Sequence, residues 1–470
     1  MQFLQKPIDI LEKKSTYYCL LLLVGVVSLL LWWLNKEVKS GDYYTYLYYI
    51  KGLEKGEYSY WYFLNEYIPD TFRNPGYPFF LYALHAIHPS VHFVQFVQWV
   101  LLMLALVLTL RIIDYYASSY LLKNIFLLFV LFNFVTLSYS AYIFPENLVL
   151  CTITTILYVE LIWKSSWKKT FVLIILYAFC FQLRPIILFI PFLRFAYYLF
   201  NTSKEKLHYN IVFLVLFIAS LLPYAFWNQK QHGVFKITPL EGGGGVMYLS
   251  YWSPKMLNVV ETRYWRNVMN EDALINFVDK KEVSHNVQLF NNEFDSIERI
   301  CSQYLTAKDT LVLNIMKQHP YLFVTYNSKY TLERERLLKT LAVQHFLQDI
   351  GYTIKVKIYT FFRLWYTGLT KAQLHSTNPI YKSSSILAFA TTFSTLLLLL
   401  FYFLWALIQH RTILYKIALP LLLCIYFAGI HVPFAIQSRY TIPVRFLYLF
   451  VIAYLIYSIH FKKSPTQTNA

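Results

Sequence analysis

Charge is scarce in this chain. Of 470 residues, 14% are charged, whereas 57% are hydrophobic and 20% aromatic. Soluble domains carry about 25% charged residues. That shortfall excludes a soluble globular protein and leaves a polytopic membrane protein. Acidic residues are the scarcer sign, 25 against 42 Lys and Arg, for a net charge of +17. No basic stripe lies on a soluble domain; the cations fall in short loops between apolar runs, so nucleic acid is not an expected partner. Cysteine is also sparse. Of the five, Cys19, Cys151, Cys180 and Cys424 lie in apolar runs and Cys301 lies in a polar region. This rules out a disulfide framework and any zinc spacing. No small-residue cleavage site follows the first apolar run, which comes after Lys6, Lys13 and Lys14 and ends in Trp32-Trp33. It reads as a retained helix, not a signal peptide. No internal repeat relates the two halves.

What is present is a series of apolar runs long enough to cross a hydrocarbon core, which takes about 20 residues per helix. They cover 17–34, 91–111, 121–142, 144–163, 170–183, 186–200, 209–228, 384–409, 413–431 and 440–460. The pair 170–183 and 186–200 is short, and the run 77–88 is shorter still and expected to lie in the interface. Cations set the orientation. Lys6, Lys13, Lys14, Arg111, Lys123, Lys164, Lys168, Lys169, Lys204, Lys206, Arg411, Lys416, Lys462 and Lys463 all fall on one face, taken as the inside. The stretches 35–90 and 229–383 then fall outside.

The chain is organised around 41–78, which is too polar to span and too aromatic to be a plain linker. It carries three carboxylates, Asp42, Glu66 and Asp70, then Arg73 and the rigid corner Pro75-Gly76-Tyr77-Pro78. Asp42, Arg73, Glu146, Arg184 and Arg439 all map to outer helix ends. Polar groups of both signs at one depth of a bilayer point to a site there; singly, each would only anchor its helix. Glu146, after Pro145, reads equally as a helix-dipole partner, a second acid that orients substrate, or a ligand for a divalent cation. His85 and His88 read as packed or capping residues. The run Gly242–Gly245 reads as a flexible or ligand-approached loop, and no G-K-[ST] follows to make it a phosphate loop. Apolar residues at helical spacing in 272–317 and 331–365, including Leu337, Leu338, Leu341, Phe346 and Ile350, predict amphipathic helices.

An outward-facing carboxylate at a membrane edge can take a proton from an attacking hydroxyl. If the electrophile is a sugar carbon on a lipid phosphate, phosphate leaves without a general acid, and cations must hold the departing charge. Arginine suits that task because its planar fork matches phosphate oxygens. Asp42, tethered to the end of the first helix, is the best single base.

These residues carry a family resemblance. The acid after the first helix (Asp42), the R-x-P-x-Y-P-type corner at Arg73–Pro78, the later acid in Y-I-F-P-E-N (Glu146) and Arg184-Pro185 stand in order along the chain. Trp227, Asn228, Gly233 and Phe235 with the glycine cluster follow, and then Arg439-Tyr440-Thr441-Ile442-Pro443. In this ordered set the chain resembles the GT-C membrane glycosyltransferases, which include the dolichyl-phosphate-mannose protein mannosyltransferases and the bacterial aminoarabinose transferases of lipid A. The resemblance implies an all-α polytopic bundle of about 10–12 transmembrane helices, with juxtamembrane helices and a periplasmic helical segment. It implies a bacterial inner membrane location with the site facing outward. The donor would be a polyprenyl-phosphate sugar and the acceptor a glycan, lipid or protein, with membrane lipids around. Asp42 and Glu146 would be the catalytic pair; Arg73, Tyr77, Arg184, Gln437, Arg439 and Tyr440 would contact substrate. A divalent cation serves some members and not others. The expected units are 1–228 with the catalytic loop 35–90, an outer segment 229–383, and C-terminal helices 384–470. Departures limit the carry-over: Tyr43 replaces the second acid of the mannosyltransferases' Asp-Glu pair, and only a short tail follows the last apolar run. Acceptor class is therefore not inherited. The rivals are a polymerase or ligase using a diphosphate-linked donor, and a lipid or polysaccharide transporter, for which repeated halves and broken helices would be expected.

Overall fold

A computed structural model of the chain describes residues 9–37, 41–64, 67–201, 204–241, 243–256, 278–307, 309, 327–434 and 437–461. Among these, every regular element is helical. The first half holds α1 (Lys14–Asn35), α2 (Gly41–Glu54), α3 (Gly76–Ile87), α4 (Val91–Tyr116), α5 (Tyr120–Phe132), α6 (Phe134–Ser138), α7 (Glu146–Ile162), α8 (Trp167–Leu183), α9 (Phe189–Asn201) and α10 (Lys204–His232). Then come α11 (Gly244–Lys255), α12 (Lys280–Cys301), α13 (Ser328–Gln348), α14 (Ile350–Arg363), α15 (Lys371–Leu374), α16 (Pro379–Gln409), α17 (Arg411–Lys416), α18 (Ala418–His431) and α19 (Arg445–His460).

Hydrophobicity is distributed as a bilayer demands. Helices α7 and α19 are apolar all round and buried along most of their length, so they form the centre of the bundle. Helix α4 packs on α7, and α5, α16 and α18 pack on α19. The peripheral helices turn large apolar side chains outward, among them Leu22, Leu34, Ile175, Val215, Leu387 and Phe401. An outward apolar belt this continuous needs lipid against it.

Among the described residues, five helical stretches are long and apolar enough to cross a membrane: Lys14–Asn35, Val91–Tyr116, Leu207–His232, Pro379–Gln409 and Ser438–His460. A sixth would be the pair Tyr120–Phe132 and Phe134–Ala141, bent by 69°. The sequence count of ten to twelve is therefore not reproduced by length. Helices α7 and α8 each run 17 residues, and α9 and α18 run 13 and 14. Internal polar residues and prolines end them early: Pro145 and Glu146 at the start of α7, Arg184-Pro185 after α8. Helix α3, 12 residues long, is too short to cross.

The segment 229–383 builds a second, smaller core. Tyr248, Trp252, Phe290, Phe294, Tyr330 and Leu338 from α11, α12 and α13 bury one another. Of the predicted amphipathic face, Leu338 is buried and Leu337, Leu341 and Phe346 pack beside it, whereas Ile350 is 58% exposed. The glycine run corrects an expectation. Gly242 lies outside the described residues, but Gly244 and Gly245 open α11 and donate their N–H groups to Glu335 Oε2 at 2.8 and 3.4 Å. A Cβ on Gly244 would sit 2.1 Å from the Glu335 carbonyl oxygen. The glycines serve close helix approach and capping, not a loose ligand loop.

Candidate functional site

Five charged side chains from five separate segments meet at one end of the bundle. Asp42 lies in the first turn of α2, where the helix N-terminus favours a carboxylate. Its Oδ1 accepts from an Arg73 guanidinium NH2 at 2.7 Å, and its Oδ2 from Arg439 NH1 at 3.0 Å. Arg439 Nε is 3.7 Å from Glu146 Oε1, which also accepts from Arg184 NH2. The chain of contacts is thus Arg73–Asp42–Arg439–Glu146–Arg184. Glu146 is fully buried, while the side chains of Asp42, Arg73, Arg184 and Arg439 keep 15–24% of their surface exposed. The four outer groups are reachable, and Glu146 stands behind them.

Local sequence explains each position. Arg184 is extended (φ −150°, ψ 112°) because Pro185 disfavours the helical conformation before it. Arg439 sits in the 3-10 turn Ser438–Val444 just before α19. Pro145 caps α7, so Glu146 is its first residue. Glu146 is accordingly a dipole partner and an arginine partner at once. Arg73 is placed by Asp70, whose Oδ2 accepts from the backbone N–H groups of Phe72 and Arg73 at 3.1 and 2.9 Å. Asp70 Oδ1 takes the Tyr49 hydroxyl at 2.5 Å. The Arg73 carbonyl accepts from Tyr58 and Tyr224 hydroxyls at 2.7 and 3.2 Å. Its guanidinium lies over the Phe72 ring, 4.1 Å from the centroid. The proline corner rests on the end of α8: Asn74 Nδ2 donates to the Phe181 carbonyl at 3.3 Å, and a Cβ on Gly76 would lie 2.6 Å from the Gln182 carbonyl carbon. Only glycine permits that approach.

Electrostatics follow from the pairing. Burial raises the Asp42 carboxyl, but the guanidiniums of Arg73, Arg439 and Arg184 more than offset it and hold the group at about 2. Asp70 differs: burial pushes it up to about 6, against the hydrogen bonds from Tyr49, Arg73 and Phe72. Glu241 is pushed up to about 8 by burial, opposed by Arg334 at 3.7 Å and the Thr71 hydroxyl at 2.7 Å.

The remaining sequence candidates divide. Tyr440 lies beside the arginines, its ring centroid 5.5 Å from the Arg184 guanidinium carbon and 5.8 Å from that of Arg439, and stacks on His431 at 4.7 Å. Gln437 begins the same turn, and its carbonyl accepts from the Tyr440 N–H at 3.1 Å. Tyr77 is buried behind the charged group, its hydroxyl given to Gln98 Oε1 at 2.8 Å. Asp70 supports the loop and does not join Asp42; Glu66 lies outside the described residues. His85 pairs with Glu54 at 3.2 Å and the His88 ring packs on Phe93 at 5.5 Å, away from the centre.

Sequence reading missed a supporting layer. Gln95 and Gln98 on α4 are fully buried. Gln95 Nε2 donates to the carbonyls of Lys36 and Ala141 at 2.9 and 2.6 Å, and Gln98 Nε2 to that of Tyr142 at 2.8 Å. They tie the end of α1 to the loop that carries Glu146. Two amides three residues apart inside an apolar run were the available signal. Arg445 is likewise buried; its NH1 donates to the Trp365 carbonyl at 2.5 Å and its NH2 to Thr441 Oγ1 at 2.6 Å.

Three guanidiniums against two carboxylates leave one net positive charge, and among the described residues Arg73 Nε and Glu146 Oε2 have no hydrogen-bond partner. Among the described residues no cluster of three or more His, Cys, Asp or Glu side chains forms that could hold a metal ion. Compared with protein-family models, curated proteins and solved structures, the chain finds no match.

Proposed function

We propose that this chain is a membrane glycosyltransferase of the GT-C kind, moving a sugar from a polyprenyl-phosphate carrier to an acceptor hydroxyl on the outer face of the bilayer. The observation that carries the proposal is the Arg73–Asp42–Arg439–Glu146–Arg184 contact chain, assembled from segments up to 397 positions apart. As it stands, Asp42 is a weak base, because the guanidiniums of Arg73, Arg439 and Arg184 outweigh burial and hold its carboxyl at about 2. A donor phosphate draws Arg73 and Arg439 toward its own oxygens. Asp42 then loses its neutralising partners, and its affinity for a proton rises. The acceptor hydroxyl gives its proton to Asp42 while its oxygen bonds to the anomeric carbon from the face opposite the phosphate. The carbon–oxygen bond to phosphate breaks, and polyprenyl phosphate leaves with the electron pair, its charge held by the arginines. The anomeric configuration inverts. Glu146, buried and paired to Arg184, keeps that arginine oriented.

A diphosphate-linked donor would engage the same guanidiniums, so the pyrophosphate product is the feature that separates that reading. The test is transfer by membranes carrying Asp42→Asn. The expected result is a loss of about 10²–10⁴-fold in turnover with normal amounts of folded protein. Turnover within twofold of the parent would remove Asp42 as base and the proposal with it.

A further inference from the structure

A cleft lies beside the charged centre and shares no side chain with it. It occupies about 480 Å³ between the turn after α2, one face of α3 and the last turn of α10. That size falls within the roughly 300–1,000 Å³ of small-molecule sites. Its walls are aromatic: Tyr58, Tyr67, Phe79, Tyr82 and Trp227. Phe79 stacks on Tyr58 with one face (centroids 6.0 Å, 13°) and is 50% exposed, and Trp227 meets the same Tyr58 ring edge-on at 5.4 Å.

The polar groups in these walls decide what fits. Glu57, Gln231, Tyr67 and Tyr82 are also among the lining residues, bringing a carboxylate, a carboxamide and two phenols to the cleft, and no side-chain hydrogen bond joins any of the four to another described residue. A hydrocarbon chain offers none of these four side chains a hydrogen bond. A phosphate would meet a carboxylate and no cation. A sugar ring has apolar C–H faces for the aromatic rings and a rim of hydroxyls that donate and accept. We propose that this cleft binds a neutral sugar residue. Tyr58 links it to the charged centre, because the Tyr58 hydroxyl donates to the carbonyl of Arg73 at 2.7 Å. That the bound sugar belongs to the acceptor rests on the transferase reading; that a sugar binds does not.

The test is saturation-transfer NMR on the full-length protein in lipid nanodiscs, with the methyl glycosides of glucose, mannose, galactose and N-acetylglucosamine as probes. At least one should receive saturation on its ring protons. Tyr82→Phe and Gln231→Leu, which keep side-chain shape at partly exposed positions, should each weaken that binding about three- to tenfold. Phe79→Ala should weaken it about tenfold, and Asp42→Asn should leave it unchanged. Absence of saturation for all four glycosides, or equal binding by the parent and the three cleft variants, overturns the site. Intact glycoside binding by a parent protein that transfers no sugar from a polyprenyl-phosphate donor would instead overturn the transferase reading alone.

Discussion

Asp42 divides its carboxylate between two guanidiniums that serve it unequally in sequence terms, since Arg73 follows 31 positions later and Arg439 follows 397 later. Because Arg439 also approaches Glu146, its removal uncouples the two acids. Arg439→Ala is expected to weaken donor binding by about 10- to 150-fold, the worth of a charge-assisted hydrogen bond, with acceptor affinity little changed; titration with each substrate checks this. A second residue-scale effect concerns pH. Glu241 is buried, and its carboxyl sits at about 8. A carboxyl whose folded pKa lies above its unfolded value of about 4.3 favours the fold fully below that value and loses the contribution as pH rises through the folded one. The melting temperature should therefore fall between about pH 5 and pH 8, and Glu241→Gln should flatten that fall. Thermal scans of both proteins across the window decide it.

At the scale of elements, the corner at Pro75–Pro78 holds α3 against the end of α8 and so brings Arg73 toward Arg184. Gly76→Ala would drive a Cβ into the Gln182 carbonyl. The expected cost is about 1–3 kcal/mol of stability with a parallel drop in turnover, measured by melting and by transfer. Much of this corner was legible, because proline, glycine and an isolated arginine mark a turn with a charge at its tip. The acids and arginines could be named for the same reason: a charge at the end of an apolar run stands out. Their pairing could not be read, since spacing along the chain does not say which helix ends meet. The glycine run misled, because glycine marks both loose loops and backbones in close contact; only the position of Glu335 separates the two. Nothing in the sequence alone says what Gln95 and Gln98 hold: Gln95 binds the Lys36 and Ala141 carbonyls, and Gln98 those of Ser140 and Tyr142. Length alone yields fewer spans than the apolar runs suggest, because one 17-residue helix begins after Pro145 and another stops before Pro185.

The whole molecule has two charged ends joined by α7. Glu146 begins that helix at the candidate site. Glu160, 14 residues on and about 21 Å away by helix rise, pairs with Arg194 and lies 3.5 Å from Lys169 at the other end. The smaller core of α11–α13 sits at the Asp42 end, where Thr71 bonds Glu241 and His232 bridges Ser328 and the Asp70 carbonyl. Cysteines placed at the exposed positions Lys51 and Lys339, in a chain freed of its five native cysteines, should therefore label from one side of the membrane, and one at Lys164 from the other. Labelling of Lys51→Cys and Lys164→Cys from the same side would break this arrangement. The most direct test of the central claim is the pool of lipid-linked sugars in the cell. Mass spectrometry should find one polyprenyl-phosphate sugar accumulating when the protein is deleted, and the same species when Asp42→Asn replaces it. An unchanged pool in both strains would contradict the account.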